Sequence, residues 1–235
     1  MVFLTVPLAK ADIIISLQID EEKNDAGLEV ANAGQTRGTY NISYWYSDSN
    51  SVGYWSSIPT VHYCRMSGTS YFTTAITNGV IKWRNALGIS ISSSPADDEN
   101  LYLNDNLLQF YQGSVEELEE LGIFDPNKIA DNNVIGYTTY SPRKFDTPPV
   151  LAHTLNKNGT IYNCYRFRRV RGFIRDFGTN TTKYNYVCTH EIGHALGWQG
   201  HSHINSDVMY APYNAMTTLT DREITHLCQI YDLFY

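Results

Sequence analysis

His190-Glu191-Ile192-Gly193-His194-Ala195-Leu196-Gly197-Trp198-Gln199-Gly200-His201-Ser202 is the stretch that decides how this chain reads. His190 and His194 are four residues apart, so on a helix their rings leave the same face. Two imidazoles at that spacing can share one tetrahedral zinc ion. Glu191 lies beside them, where a carboxylate can take a proton from a water on the metal, whose pKa the ion lowers to about 7. Gly197 stands where such a helix has to stop, because glycine accepts the left-handed conformation that reverses the chain. The reversal can return His201 as a third ligand, leaving the fourth position open as in a catalytic site and unlike a closed structural one. The His-Glu-x-x-His pattern is expected by chance in only about one chain in a hundred of this length, which disfavours two incidental histidines.

Upstream of this segment, residues 1–39 read as a lead segment, with the β-rich Asp12–Asp20 followed by a polar, glycine-containing stretch. Val2 to Leu8 is a short apolar run followed by Ala9-Lys10-Ala11, which fits a weak signal peptide or a first strand. Tyr40–Tyr46 alternates as a strand, and Thr60–Met66 reads as another. Apolar residues from Phe72 to Ala86 recur at helical spacing, with Gly88 as the stop and Ile89–Ile91 as a following strand. Ser114–Leu121 is a short helix opened by a Ser-x-x-Glu capping box. Val134–Tyr140 reads as a strand and 141–149, with three prolines, as a loop. Thr160–Phe167 and Val170–Phe177 are further strands, Asn180–Lys183 a turn, and a helix is expected from about Tyr184–Tyr186 to Leu196. A last helix spans Asp221–Leu233, capped by Thr218 or Thr220.

The totals are those of an ordinary folded domain: 235 residues, 43% hydrophobic and 17% charged. The net charge of −7 argues against a nucleic-acid partner, and the run Arg166, Arg168, Arg169, Arg171 reads as a solvated strand edge. No apolar run approaches the roughly 18 residues that would span a bilayer, so no membrane partner is expected. Four cysteines, Cys64, Cys164, Cys188 and Cys228, form no Cys-x-x-Cys pair; an even count suits two disulfides, with three pairings open. The oxygen donors Asp97, Asp98, Asn104 and Asp105 are a candidate calcium loop, set against the plainer reading of a solvated acidic loop.

HEIGHALGWQGHS followed by Asp207-Val208-Met209-Tyr210 resembles the metzincin metallopeptidases, and among them the matrixin branch. His190, Glu191, His194, Gly197 and the methionine of the Met-turn, Met209, match the family pattern in order. Position 200, where the pattern has its third histidine, is Gly200, and the histidine follows at His201, with His203 as a competitor. The resemblance covers about residues 40–235. It implies an α+β zincin fold: a twisted mixed sheet, an active-site helix binding zinc, a Met-turn and a C-terminal helix. It also implies a strand within 160–177 at the sheet edge, where an extended peptide could add on. Tyr210 and Tyr213 are candidate walls of the substrate pocket; Ala211 falls where some branches carry a metal-approaching tyrosine, so no fifth ligand is expected. The pro-segment motif that places a blocking cysteine in matrixins is absent, and Cys64 reads as structural.

The implied activity is that of a zinc metalloendopeptidase, with Glu191 as general base and His190, His194 and His201 as ligands. Its expected partner is a peptide or protein substrate, its expected location secreted or extracellular, and its expected state a monomer. Three rivals stand beside it: a zincin using Glu223 as third ligand, a non-catalytic module that retains zinc, and a metallo-amidase or toxin acting on one special bond.

Overall fold

Two helices laid against each other carry the centre of the computed structural model, which describes residues 51–96, 106–140, 150–157 and 159–232. The lead segment, the expected strand at Tyr40–Tyr46, the 141–149 loop and the candidate calcium residues Asp97, Asp98, Asn104 and Asp105 lie outside the described residues. In chain order the elements begin with β1 (Ser51–Tyr54), β2 (Val61–Arg65) and α1 (Tyr71–Leu87). Then come β3 (Ser93–Pro95), β4 (Leu107–Gln112), α2 (Val115–Glu120), α3 (Pro126–Ala130) and β5 (Gly136–Thr139). The chain continues through β6 (Val150–Lys157), β7 (Thr160–Arg166), β8 (Arg169–Ile174), α4 (Thr181–Ala195) and α5 (Asp221–Asp232).

Helix α1 forms where the apolar spacing placed it and buries Phe72, Ala75, Ile76, Gly79, Val80 and Trp83 on one face. Gly88 ends it at φ 66, the left-handed turn expected of that glycine. That face packs on α4. The Trp83 indole donates to the Thr189 carbonyl at 2.8 Å, and Gly79 lets the helices close, since a Cβ there would lie 2.8 Å from Ile192. From Tyr186 to Ala195 every residue of α4 is buried, as befits a helix enclosed on all sides. It starts at Thr181, not at 184–186. The Asn180 side chain accepts from the Lys183 amide at 3.0 Å, so the expected turn is the helix cap and first turn.

Five strands form one mixed sheet in the order β3-β2-β4-β8-β5, in which only β5 runs antiparallel to its neighbour. A second sheet has the order β1-β7-β6. This corrects the expected substrate-binding edge: β8 lies between β4 and β5, and β7 between β1 and β6, so neither strand within 160–177 is an edge. Among the described residues the edges of the larger sheet are β3 and β5. The arginine run is corrected in part, because β8 is interior: Arg169 is 7% exposed and Arg171 fully buried, whereas Arg166, on β7, is exposed as expected. The strand expected at Ile89–Ile91 instead pairs from Ser93 onward, with Ile91 buried in the core ahead of it.

Strands β4 and β6 went unread for different reasons. All six residues of β4, LLQFYQ, are buried, so it lacks the alternation that marks a half-buried strand. Strand β6 forms a hairpin with β7 and leaves Val150 and Leu151 exposed, so burial gives it no pattern either. The Ser114–Glu117 capping box on α2 is present in both directions. Arg175 closes the end of α3 by donating to the carbonyls of Ile129, Val134 and Asp131. None of the four cysteines is in a disulfide, which corrects the two-disulfide expectation: they sit on β2, β7, α4 and α5, with Cys164 and Cys188 buried as small apolar side chains. No described helix is long and apolar enough to cross a membrane.

Candidate metal centre

The end of α4 is fixed by contacts from four directions. Gly197 adopts φ +120, its amide donates to the His194 carbonyl at 2.9 Å and the Trp198 amide to the Gly193 carbonyl at 3.1 Å, which is the Schellman arrangement. Side chains from distant elements add a second donor to the His194 carbonyl and satisfy those of Ala195 and Leu196. Tyr140 Oη donates to His194 at 2.6 Å, Trp55 Nε1 to Ala195 at 2.8 Å and Tyr231 Oη to Leu196 at 2.7 Å. Without the bonds from Trp55 and Tyr231 a buried helix end would leave the Ala195 and Leu196 carbonyls short of partners. A side chain at Gly197 would also be excluded by β1, since its Cβ would lie 2.6 Å from the Gly53 carbonyl.

From this end the chain turns twice. Gly200 has φ 71 and brings His201 back over α4, so the glycine at the expected histidine position is the second turn that makes the late histidine reach. The donor atoms of His190, His194 and His201 all lie within 4.8 Å of one another. The His201 ring stacks on His190 at 5.2 Å and stands edge-on to His194 at 5.0 Å. His203 is exposed and outside this cluster. Glu223 is also elsewhere: its carboxylate accepts from the amides of Met209 and Thr220, each at 2.7 Å. The third member of the cluster is therefore His201.

The donor set fits a cation. His190 Nδ1 lies 2.6 Å from the Val208 carbonyl and His194 Nδ1 2.7 Å from the Trp198 carbonyl. A carbonyl only accepts, so both Nδ1 atoms carry the proton and both Nε2 atoms present lone pairs. Those two Nε2 atoms face each other at 2.9 Å, close to the about 3.3 Å separation of ligands on a tetrahedral zinc. Two acceptors at that distance repel unless a cation joins them. Burial holds all three imidazoles in the neutral, ligating form: His190 falls to about 4, His201 to about 3 with help from His190 and His203, and His194 well below its usual value.

Glu191 is buried on the same helix, and burial pushes its carboxyl up to about 8 against the hydrogen bond from Thr138 Oγ1 at 2.6 Å, which lowers it. A bound cation would act in the same direction as Thr138. Met209 is fully buried against the helix that carries His190 and His194, and Gly193 makes room for it, since a Cβ there would meet Met209 Sδ at 2.5 Å. The Met209 carbonyl accepts from the Ser202 amide at 2.7 Å, so the turn and the His201 segment are tied together. Below them the fully buried Asp207 carboxylate accepts from Ser202 Oγ at 2.5 Å, Thr220 Oγ1 at 2.9 Å, and Arg222 at 2.5 and 3.0 Å. Tyr186 Oη donates to the carbonyl of Tyr210, and the Tyr213 ring stands edge-on to Tyr186, which lies 5.7 Å from His190. Sequence reasoning had named Tyr210 and Tyr213 but missed Thr138, Gly193, Asp207 and Arg222. Only Gly193, a glycine inside a helix, carried a local signal.

The matrixin family model matches residues 75–232. Two solved structures of myroilysin are similar at 11% and 12% identity, with TM-scores of 0.38 and 0.37. Each covers 76% of this chain, and the chain covers 95% and 85% of them respectively. Among curated proteins none matches. With the family match spanning most of the chain, and the expected metzincin-type α+β fold in place around a three-histidine cluster, the chain belongs to the matrixin family of metallopeptidases.

Proposed function

We propose that this chain hydrolyses peptide bonds with a zinc ion held by His190, His194 and His201 and with Glu191 as general base. The observation that carries the reading is the convergence of three neutral imidazoles, two with Nδ1 tied to carbonyls, beside a buried carboxylate on the same helix. Zinc, when bound, supplies Lewis acidity at the open position, polarising a carbonyl and lowering the pKa of water. Glu191 accepts the proton of the attacking water and delivers it to the leaving amine. Met209 supports the ligand rings from below. Strand β5, the antiparallel edge, offers backbone groups to which an extended peptide can add, and Tyr213 beside Tyr186 forms one wall of the pocket that receives a substrate side chain. The catalytic unit spans about residues 40–235.

The test is metal content by mass spectrometry. Wild type is expected to hold about one zinc per chain and His201→Ala to lose most of it. Glu191→Ala is expected to keep zinc and lose turnover on a peptide library. A His201→Ala protein that retains full zinc, or a Glu191→Ala protein that cleaves at the wild-type rate, would overturn the assignment.

A further inference from the structure

Strand β5 does more than form an edge. Its side chains alternate, so Tyr137 packs on Phe124 and Phe173 in one direction while Gly136 and Thr138 face α4 in the other. Thr138 is 1% exposed, and its Oγ1, which has one proton to donate, lies 2.6 Å from Glu191 Oε2, against 3.3 Å from the Glu191 carbonyl oxygen. Two residues earlier, a Cβ on Gly136 would lie 2.6 Å from Glu191 Oε1 and 2.9 Å from its Cγ. One oxygen of the carboxylate is therefore held by a hydroxyl, and the other occupies space that any residue larger than glycine would take.

We propose that Thr138 and Gly136 are positioning residues for the Glu191 carboxylate: the hydroxyl clamps Oε2, and the missing side chain leaves Oε1 free to face the reacting water. The inference rests on the reading of Glu191 as general base and adds what aims it. A carboxylate held at one oxygen cannot rotate between its two faces, and its second oxygen keeps its lone pairs for the proton in transit. Neither residue belongs to the three-histidine cluster, so their loss should leave the metal in place.

The experiment compares Thr138→Val, Thr138→Ser, Gly136→Ala and Glu191→Ala with wild type, all zinc-loaded. It reads zinc per chain, kcat and KM on a quenched-fluorescent peptide that the wild type cleaves, and the calorimetric affinity for acetohydroxamate, a chelator whose proton a neighbouring carboxylate can accept. Thr138→Val is expected to keep its zinc, lose about 10- to 100-fold in kcat with KM within about twofold, and bind acetohydroxamate about tenfold more weakly. Thr138→Ser restores the hydroxyl and should recover both readouts to within about threefold. Gly136→Ala should lose about 100-fold in kcat, since a displacement on the order of 1 Å at the base suffices for that. A Thr138→Val protein with wild-type kcat and acetohydroxamate affinity, beside an inactive Glu191→Ala, overturns this inference and leaves the peptidase reading standing. Loss of zinc from Thr138→Val assigns Thr138 a structural role and overturns it too. An active Glu191→Ala overturns both readings.

Discussion

Replacing Asp207 by alanine tests whether the His201 segment is held in place by the network around that carboxylate. The carboxylate is fully buried and receives four hydrogen bonds, two of them from an Arg222 that keeps 25% of its side chain in water. Hydrogen bonds to a charged group contribute about 1.5–3 kcal/mol each when counted singly, but these four share one acceptor and do not add. Removing one partner of a buried ion pair costs about 3–5 kcal/mol, and the partial exposure of Arg222 moves the expectation to the lower end, about 3 kcal/mol. Asp207→Asn keeps one carbonyl oxygen as an acceptor and should cost about 2 kcal/mol. The same bonds orient Ser202, the residue after His201, so zinc affinity should fall by at least about tenfold in the alanine variant. Urea denaturation of metal-free protein measures the first quantity and competition with a chelator the second. A loss below about 1 kcal/mol with unchanged zinc affinity would refute the reasoning, because it would mean the network stabilises neither the closing helix nor the His201 segment.

Gly193→Ala should destabilise the protein by about 1–3 kcal/mol and weaken zinc binding, because the new Cβ meets Met209 Sδ at 2.5 Å; helix propensity alone favours alanine by about 1 kcal/mol, so a stabilised variant in denaturant melts would show that the contact yields. Buried His226, against Trp198 at 4.1 Å, is lowered by burial to about 3. Its folded value lies below its unfolded one, so its contribution is fully present above about pH 6.5 and is lost as pH falls towards 3. His226→Phe should flatten the decline of stability in that window by about 1.4 kcal/mol per pH unit, as urea titrations at pH 7, 6 and 5 would reveal; parallel curves for variant and wild type would exclude it. Ala215, exposed at φ 60, is a left-handed non-glycine residue, and Ala215→Gly should stabilise by about 0.5–1 kcal/mol after the extra unfolded-chain entropy of glycine is subtracted; equal denaturation midpoints would contradict that.

Sequence alone determined whatever depends on a few neighbouring residues. The i, i+4 pair His190 and His194, the stops at Gly88 and Gly197, the Ser114 capping box and the apolar face of α1 all follow from backbone preferences and a 3.6-residue period. The same local logic placed Thr220 as a cap, and its hydroxyl does accept from the Glu223 amide at 3.3 Å. Tertiary structure decided what depends on which distant strand arrives. Thr138 meets Glu191 from 53 positions away and Trp55 reaches Ala195 from 140, and no pattern near either residue records the partner. Burial of both faces hid β4, and the interior place of β8 buried Arg169 and Arg171, the second half of an arginine run that reads as solvated. The choice of His201 over His203 lies between the two levels. Gly200 permits the turn, but only the packing of Gly197 against β1, and the tie of Ser202 to the Met-turn and Asp207, fixes which imidazole is carried back to the other two. The physical reason is that local torsional preferences act within a turn or two of chain, whereas pairing and burial are set by contacts that exist only once the sheet and helices have come together.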